Sequence, residues 1–216
     1  MTGRLGRVRL LAGALLVAAP LVLAACAGSG YNYVKNSEDK TYFKVPDSWK
    51  LYGQDSVLNA LKGSLSTDEI QQRRDNSWTT VFDADPSPSI NHLALKNPQY
   101  PLGRAVVQTL SADAADSASL QSLRNIFFDF DTALQNGSAT VLSYDPVELD
   151  GGFHGSHLVA RMDEKGASSI TFNQTAVFDQ STSKVYAISI YCSTGCYNKY
   201  ESKIDKVIDS WTVRNS

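Results

Sequence analysis

The sequence predicts an α+β fold in which helices cover an antiparallel sheet. Three observations predict this fold class. Strand-like segments follow one another between 141 and 191, and short turn sequences join them. Apolar residues recur at helical spacing over 119–135, and again from about Tyr197 to Trp211. Helices that precede and follow a run of strands must bury their apolar faces against the sheet that those strands form.

The first half of the domain is expected to supply short strands and one capped helix. β-Branched and aromatic content and alternating polarity predict strands at 42–45, 78–82 and 104–110. Ser66 and Glu69 form a capping box, which predicts a helix that runs through Ile70 to about Asn76. The segment 85–101 contains Pro86, Pro88, Pro98 and Pro101, and it predicts an irregular surface loop.

The second half is expected to form one long helix, a meander and a closing helix. The long helix is predicted over Ser119 to Gln135, with Asn136 and Gly137 as its C-terminal stop. The strands of the meander are predicted at 141–149, 156–162, 169–178 and 184–191.

The N-terminus has the pattern of a secretory signal peptide over residues 1–25, with a basic start and a short apolar run. Its last residues and Cys26 read Leu-Ala-Ala-Cys, which resembles a bacterial lipobox. That resemblance implies cleavage before Cys26 and acylation of this cysteine. An uncleaved membrane anchor is less consistent with the sequence, since the apolar run is shorter than about 20 residues and contains Pro20.

The charge composition of the mature chain limits the classes of partner that it is expected to bind. All three basic residues of the signal are arginines, and none of the 22 acidic residues lies there, so 17 basic and 22 acidic residues give the mature chain a net charge of −5. Nucleic-acid binding needs clustered Lys and Arg, so this balance argues against a nucleic-acid partner. Residues 26–40 predict a flexible tether, and 41–216 suit a single globular domain.

Three residues lie between the other two cysteines, Cys192 and Cys196. Outside the cytoplasmic membrane, two thiols this close are expected to form a disulfide, and Gly195 lets the chain curl between them. A redox-active or metal-binding role is the alternative, but the spacing is not that of a Cys-x-x-Cys motif.

The sequence offers no catalytic signature, no metal site and no cofactor motif. His154 and His157 are the one local pair to consider as a metal or catalytic site, but residues three positions apart on a strand face opposite sides. Ser156 lacks the Gly-x-Ser-x-Gly elbow of a nucleophile. His92, in the proline-rich loop, is expected to be solvated. The many tyrosines suit either a binding surface or a core, and the three tryptophans are expected to be buried.

Two segments resemble PsbP-like domains, including the LpqN/LpqT-type lipoproteins of actinobacteria. The segment 43–49, Phe-Lys-Val-Pro-Asp-Ser-Trp, is similar to the opening of that domain, and 204–213 looks like its last helix. The segment 184–190 resembles its final strand. The resemblance implies an α/β/α sandwich around a twisted antiparallel sheet and an extracytoplasmic accessory or binding role without catalysis. The Cys192 and Cys196 pair and the proline-rich loop depart from the family pattern.

The leading hypothesis is a cell-envelope lipoprotein, anchored in the cell membrane on its extracytoplasmic face, whose domain binds an envelope protein or a cell-wall component. A hydrolase-like enzyme that uses His154 and His157, and a carrier of a small ligand or lipid, are the alternatives. A hydrogen bond from His157 to a buried carboxylate in a deep polar cleft would favour the enzyme. A continuous apolar cavity between sheet and helix would favour the carrier, and a shallow, aromatic-rimmed groove with both imidazoles exposed would favour binding.

Overall fold

The computed structural model describes residues 30–163, 166 and 168–214. The predicted signal peptide and the lipidation site Cys26 therefore lie outside the described residues. The strands are β1 (Tyr31–Asn36), β2 (Thr41–Pro46), β3 (Lys50–Tyr52), β4 (Ser77–Asp83), β5 (Leu102–Thr109), β6 (Ala139–Leu149), β7 (Phe153–Met162), β8 (Ile170–Phe178), β9 (Lys184–Ser193) and β10 (Thr212–Val213). The α-helices are α1 (Gln54–Ala60), α2 (Thr67–Asn76), α3 (Ala112–Asp116), α4 (Leu120–Arg124), α5 (Phe130–Gln135) and α6 (Thr194–Ile208).

The strands form two antiparallel sheets. The large sheet has seven strands in the order β3-β4-β5-β9-β8-β7-β6, and the small sheet has the order β1-β2-β10. Within the large sheet, β6 to β9 pair in sequence order, which confirms the predicted meander. Strand β9 then pairs with β5, so the two halves of the chain share one sheet.

The sheet is covered on both faces. Helix α6 and the small sheet pack on one face, where Phe82, Ile188 and Ile190 meet Ile204 and Val207 of the helix, all fully buried. Helices α1, α4 and α5 cover the other face through further apolar clusters. The result is the predicted α/β/α sandwich around an antiparallel sheet. Among the residues described, no helix has the length and apolar character needed to cross a bilayer.

The capped helix is confirmed. Helix α2 begins after Ser66, whose side chain accepts a hydrogen bond from the backbone N–H of Glu69, while the Glu69 carboxylate accepts one from the Ser66 N–H. The closing helix α6 begins three residues earlier than predicted, because the Ser193 hydroxyl accepts a hydrogen bond from the Cys196 N–H and caps it there.

The single helix predicted over Ser119 to Gln135 is wrong: the chain forms α4 and α5 with a break between them. In a continuous helix the carbonyls of Leu123 and Phe127 would each accept from the amide four residues on. Here Gln174 Nε2 donates to the Leu123 carbonyl at 2.9 Å, and Arg104 Nη2 donates to the Phe127 carbonyl at 3.0 Å. Two polar side chains of the sheet therefore use the carbonyls that a longer helix would need.

The flexible tether predicted over 26–40 is wrong for 31–36. These residues form β1, which pairs along its whole length with β2, from Tyr31 opposite Pro46 to Asn36 opposite Thr41. Val34 packs against the main core. The aromatic and β-branched residues of this segment suit a strand, although polar residues stand between them. The folded domain thus begins ten residues earlier than predicted.

Candidate binding groove

A groove of about 530 Å³ runs between α6 and the outer strands of the large sheet. Its volume lies within the range of about 300–1,000 Å³ that is typical of ligand sites. Strands β6, β7 and β8 form its floor and one wall, and α6 forms the other wall. The side chains that matter below are Leu142, His157, Arg161, Asn173, Tyr197, Glu201, Asp205 and Asp209.

Helix α6 has two different long faces, which explains why the groove is polar on one side. Ile204 and Val207 point into the core and are fully buried. Asn198, Glu201 and Asp205 follow one another at spacings of three and four residues and line the groove. An amphipathic helix packed near the edge of a sheet must expose its polar face next to the strands that it does not cover.

Asn173 of β8 joins the two walls of the groove. Its Oδ1 lies 2.7 Å from Nε2 of His157. Its Nδ2 donates to the Tyr197 hydroxyl at 3.1 Å and to Oδ1 of Asp205 at 3.4 Å. Only the amide nitrogen can donate to the Asp205 carboxylate, so the amide oxygen must face His157, and the proton of neutral His157 sits on Nε2.

Negative charge gathers on the helix side of the groove. Burial, then the carboxylates of Glu201 and Asp209, raise the pKa of Asp205 above its ordinary value, while His157 acts in the opposite direction. Burial also raises the pKa of Tyr197 to about 12, with the Asn173 hydrogen bond acting against it. The Tyr197 hydroxyl is therefore neutral at physiological pH.

The geometry supports recognition better than proton transfer. His157 is bonded to an amide, which cannot take up a proton as a carboxylate could, and Asn173 is only 2% exposed. The network fixes the positions of a ring nitrogen, a phenol and a carboxylate before anything binds. Such pre-arranged donors and acceptors set orientation and specificity in a binding site.

His154 and Ser156 are not brought together with His157. Ser156 is buried and His157 half-buried, on opposite faces of β7, as the alternation of a strand requires. His154 is exposed, with Nδ1 3.2 Å from the Gly152 carbonyl oxygen and its ring against Phe178. The three side chains therefore do not form a shared catalytic or metal site.

His92 is not solvated as predicted. Its Nδ1 lies 2.7 Å from Oδ2 of Asp83, a carboxylate that is 2% exposed. Asp83 also accepts hydrogen bonds from the backbone N–H groups of Asp85 and Ser89. This carboxylate anchors the start of the proline-rich loop, and His92 completes the anchor. Sequence reasoning missed Asp83, although an Asp ahead of a proline-rich turn often accepts from the backbone two residues on.

Two other recesses are less suitable as sites. The larger, of about 680 Å³, is lined by Asp39, Asp179 and Lys184, but Asp39 and Lys184 pair at 2.6 Å and Asp179 binds the turn that follows it. A smaller recess of about 230 Å³ between α3, α4 and the sheet is lined by apolar side chains including Leu110 and Leu123. It is smaller than a typical ligand pocket, so the structure does not favour the carrier hypothesis.

Cys192 and Cys196 lie where β9 passes into α6. Their Sγ atoms are 2.07 Å apart, a disulfide distance, and their Cα atoms are 5.9 Å apart. Both side chains are buried in the main core. The pair thus ties the last residues of the central strand to the first turn of the helix that walls the groove. No group of three or more His, Cys, Asp or Glu side chains that could hold a metal ion occurs within 30–163, 166 and 168–214.

No protein-family model and no curated protein matches the sequence. Among solved structures, the cyanobacterial PsbP protein CyanoP from Synechocystis sp. PCC 6803 aligns with a TM-score of 0.52 and 14% identity, over 91% of this chain and 100% of that chain. LpqN of Mycobacterium tuberculosis, involved in cell envelope biogenesis, aligns with a TM-score of 0.43 and 14% identity, over 86% of this chain and 91% of that chain. The yeast Ran-binding protein Mog1p aligns with a TM-score of 0.41 and 12% identity, over 85% and 95%. The likeness to CyanoP shows that the chain has the PsbP-like fold.

Proposed function

We propose that this protein is a cell-envelope lipoprotein, held on the extracytoplasmic face of the cell membrane by acylated Cys26. Its PsbP-like domain binds another envelope protein or a cell-wall component in the groove beside α6, without catalysing a reaction. The signal peptide pattern and the lipobox-like Leu-Ala-Ala-Cys sequence support the anchor. Several acyl chains, at about 0.8 kcal/mol for each buried methylene, suffice to hold a domain on a membrane.

The observation that carries the binding role is the network through Asn173. The Asn173 amide holds three polar side chains, those of His157, Tyr197 and Asp205, in fixed positions. These side chains come from both walls of an open groove. Exposed Leu142 and half-buried Val159 add apolar surface to the same groove. A polar network beside apolar contact area is the usual composition of a specific recognition site.

Photo-crosslinking in the intact envelope tests the groove. A photoreactive amino acid at Asn198, which is exposed and lines the groove, is expected to give a discrete crosslinked product. The same amino acid at Ser202, exposed on α6 but outside the groove lining, is the matched control. Equal crosslinking at both positions, or none at Asn198, would contradict the proposed surface.

The anchor is tested separately. Cys26→Ser is expected to move the protein from the membrane fraction to the soluble fraction, because the serine cannot receive the thioether-linked lipid. Mass spectrometry of the wild-type N-terminus is expected to show an acylated cysteine. A wild-type mass without lipid, or unchanged fractionation of the variant, would refute the anchor and leave the groove experiment unaffected.

A hydrolase-like role is the second candidate, and one observation favours it. His92 and the buried Asp83 form an imidazole–carboxylate pair of the kind that orients a general base. Hydrolysis of p-nitrophenyl esters that disappears in His92→Ala and persists in His154→Ala would support this role. Absence of hydrolysis by the wild-type protein would leave His92 as part of the loop anchor alone.

A further inference from the structure

The short distance along the chain from Cys26 to the folded domain restricts how the domain can sit on a membrane. Strand β1 begins at Tyr31, so only residues 27–30 separate it from the lipidation site. Fully extended, these residues span about 14 Å. Strand β9, with ten residues, is about 33 Å long. The tether is thus much shorter than the sheet, and the position of Gly30 decides which part of the domain lies nearest the lipid.

Gly30 lies at one end of the large sheet. Its carbonyl accepts a hydrogen bond of 3.0 Å from the N–H of Asp47, in the turn that leads directly into β3. From the first residue of β3 a row of neighbours crosses the whole sheet, through Lys50, Asp83, Leu102, Tyr191, Phe172, Ala160 and Val141. We call the surface beyond this row the anchor end, and it includes the proline-rich loop 85–101.

The anchor end exposes large apolar side chains. Leu95 of the proline-rich loop is 46% exposed, and Val141, in the crossing row on β6, is 40% exposed. Leu134, in the last turn of α5, is 40% exposed and precedes the turn into β6. Three of the seven large apolar side chains that are exposed in the described residues therefore lie at or next to this end.

Tyrosine and lysine side chains of α6 adjoin the proline-rich loop. Tyr100 of the proline-rich loop packs edge-on against Tyr200 of α6, with ring centroids 6.4 Å apart. Lys199 and Lys203 place their ammonium groups 5.3 and 5.8 Å from the centre of the Tyr200 ring. Tyrosine and lysine suit the boundary between lipid headgroups and hydrocarbon, because each combines an apolar body with a polar tip.

We infer that the anchor end rests on the lipid bilayer, so that the domain stands on the membrane in one orientation with its sheet pointing away from it. This inference depends on the acylated Cys26 of the proposed function. The surface is a lipid contact that adds to the anchor, and its apolar and aromatic groups act at the depth of the headgroups. The far end, with the turn around Ser37 between β1 and β2, points away from the membrane.

Fluorescence quenching on vesicles tests this orientation. The full lipidated chain carries no free thiol if Cys26 is acylated and Cys192 and Cys196 are bonded, so one introduced cysteine can be labelled. Ser87→Cys labels the proline-rich loop and Ser37→Cys labels the far end; both serines are exposed. In phosphatidylcholine vesicles that contain nitroxide-headgroup lipid, quenching is expected to be several-fold stronger at position 87.

Two further variants and one control separate the effect of the short tether from that of the apolar surface on the orientation of the domain. A Gly/Ser insertion of about 12 residues between Gly28 and Ser29 lengthens the tether and is expected to weaken quenching at position 87 without releasing the protein from vesicles. Leu95→Asp is expected to weaken it as well, whereas Leu120→Asp, at a side chain of nearly equal exposure (45%), is not. Equal quenching at positions 87 and 37, in protein that floats with the vesicles, would overturn the orientation. Protein that fails to float would instead overturn the lipid anchor itself, and the orientation with it.

Discussion

Replacing Asn173 by alanine is expected to lower the free energy of unfolding by about 2–3 kcal/mol. The change removes the hydrogen bonds to His157 and Tyr197 and the longer contact with Asp205. Each such bond contributes about 1 kcal/mol, and a buried polar group left without a partner costs about 1–3 kcal/mol. The Tyr197 hydroxyl is the group that would lose its hydrogen-bond partner while buried, since Tyr197 is only 5% exposed.

Urea denaturation followed by circular dichroism measures this loss, and the melting temperature is expected to fall by about 5–10 °C. Asn198→Ala is the matched control: Asn198 is exposed in the same groove, so its loss should change stability by no more than about 0.5 kcal/mol. A double-mutant cycle with Tyr197→Phe should give a coupling of about 1 kcal/mol. A loss below about 0.5 kcal/mol for Asn173→Ala, or no coupling, would refute the network as described.

Three further predictions concern the sheet, the cysteine pair and the groove. Gly155→Ala is expected to destabilise by about 3 kcal/mol or more, because a Cβ there would lie 2.0 Å from the carbonyl oxygen of a residue on β8, whereas Gly195→Ala meets nothing within 4 Å and should be neutral or stabilising in thermal melts. Reducing Cys192–Cys196 is expected to cost about 2 kcal/mol, since a short loop constrains the unfolded chain little, and urea midpoints with and without reductant measure it. Asp205 has a raised pKa in the folded state, so the folded state binds more protons than the unfolded state between the ordinary and the raised pKa, and stability falls as pH rises through that window. Asp205→Asn should remove this dependence and raise stability at pH 7 by about a few tenths of a kcal/mol.

Each of these predictions has a contrary outcome. Equal melting temperatures for the Gly155 and Gly195 variants would show that β7 and β8 can separate locally. A fully reducible pair without any shift in urea midpoint would mean that the Cys192–Cys196 bond does not constrain the unfolded chain. A stability profile of Asp205→Asn parallel to that of the wild type between pH 4 and pH 7 would assign the pH dependence to another carboxyl group.

Local patterns were sufficient for much of the fold. The meander, the capping box at Ser66 and the amphipathic closing helix each depend on residues close together in sequence, and the structure confirms them. The prediction of one long helix was wrong because Arg104 and Gln174, which lie on distant strands, donate hydrogen bonds to two carbonyls that a continuous helix would use. No pattern within 119–135 carries that information. Strand β1 was missed because its partner, β2, stabilises a segment that is mostly polar.

The candidate site was less accessible to sequence reasoning. The histidines drew attention to β7, yet only His157 joins the groove, and its partner Asn173 comes from another strand. Asp205 and Tyr197 come from a helix that begins more than 30 residues after His157. Their proximity arises from the packing of α6 beside β7 and β8, which local spacing does not encode. Likewise, no sequence pattern pairs Asp83 with His92. Their contact exists because the proline-rich loop folds back on β4.

By itself, the sequence determined the turn-linked strands and the class of the fold, and it carries the signal-peptide pattern from which the proposal of an acylated Cys26 starts. These properties depend on composition and on periodicity, which short segments carry on their own. Only the tertiary structure decided where the predicted long helix breaks, that residues 31–36 form a strand, and which polar side chains share a groove. Those features depend on hydrogen bonds and packing between residues far apart in the chain, and such contacts exist only when the whole sheet has formed.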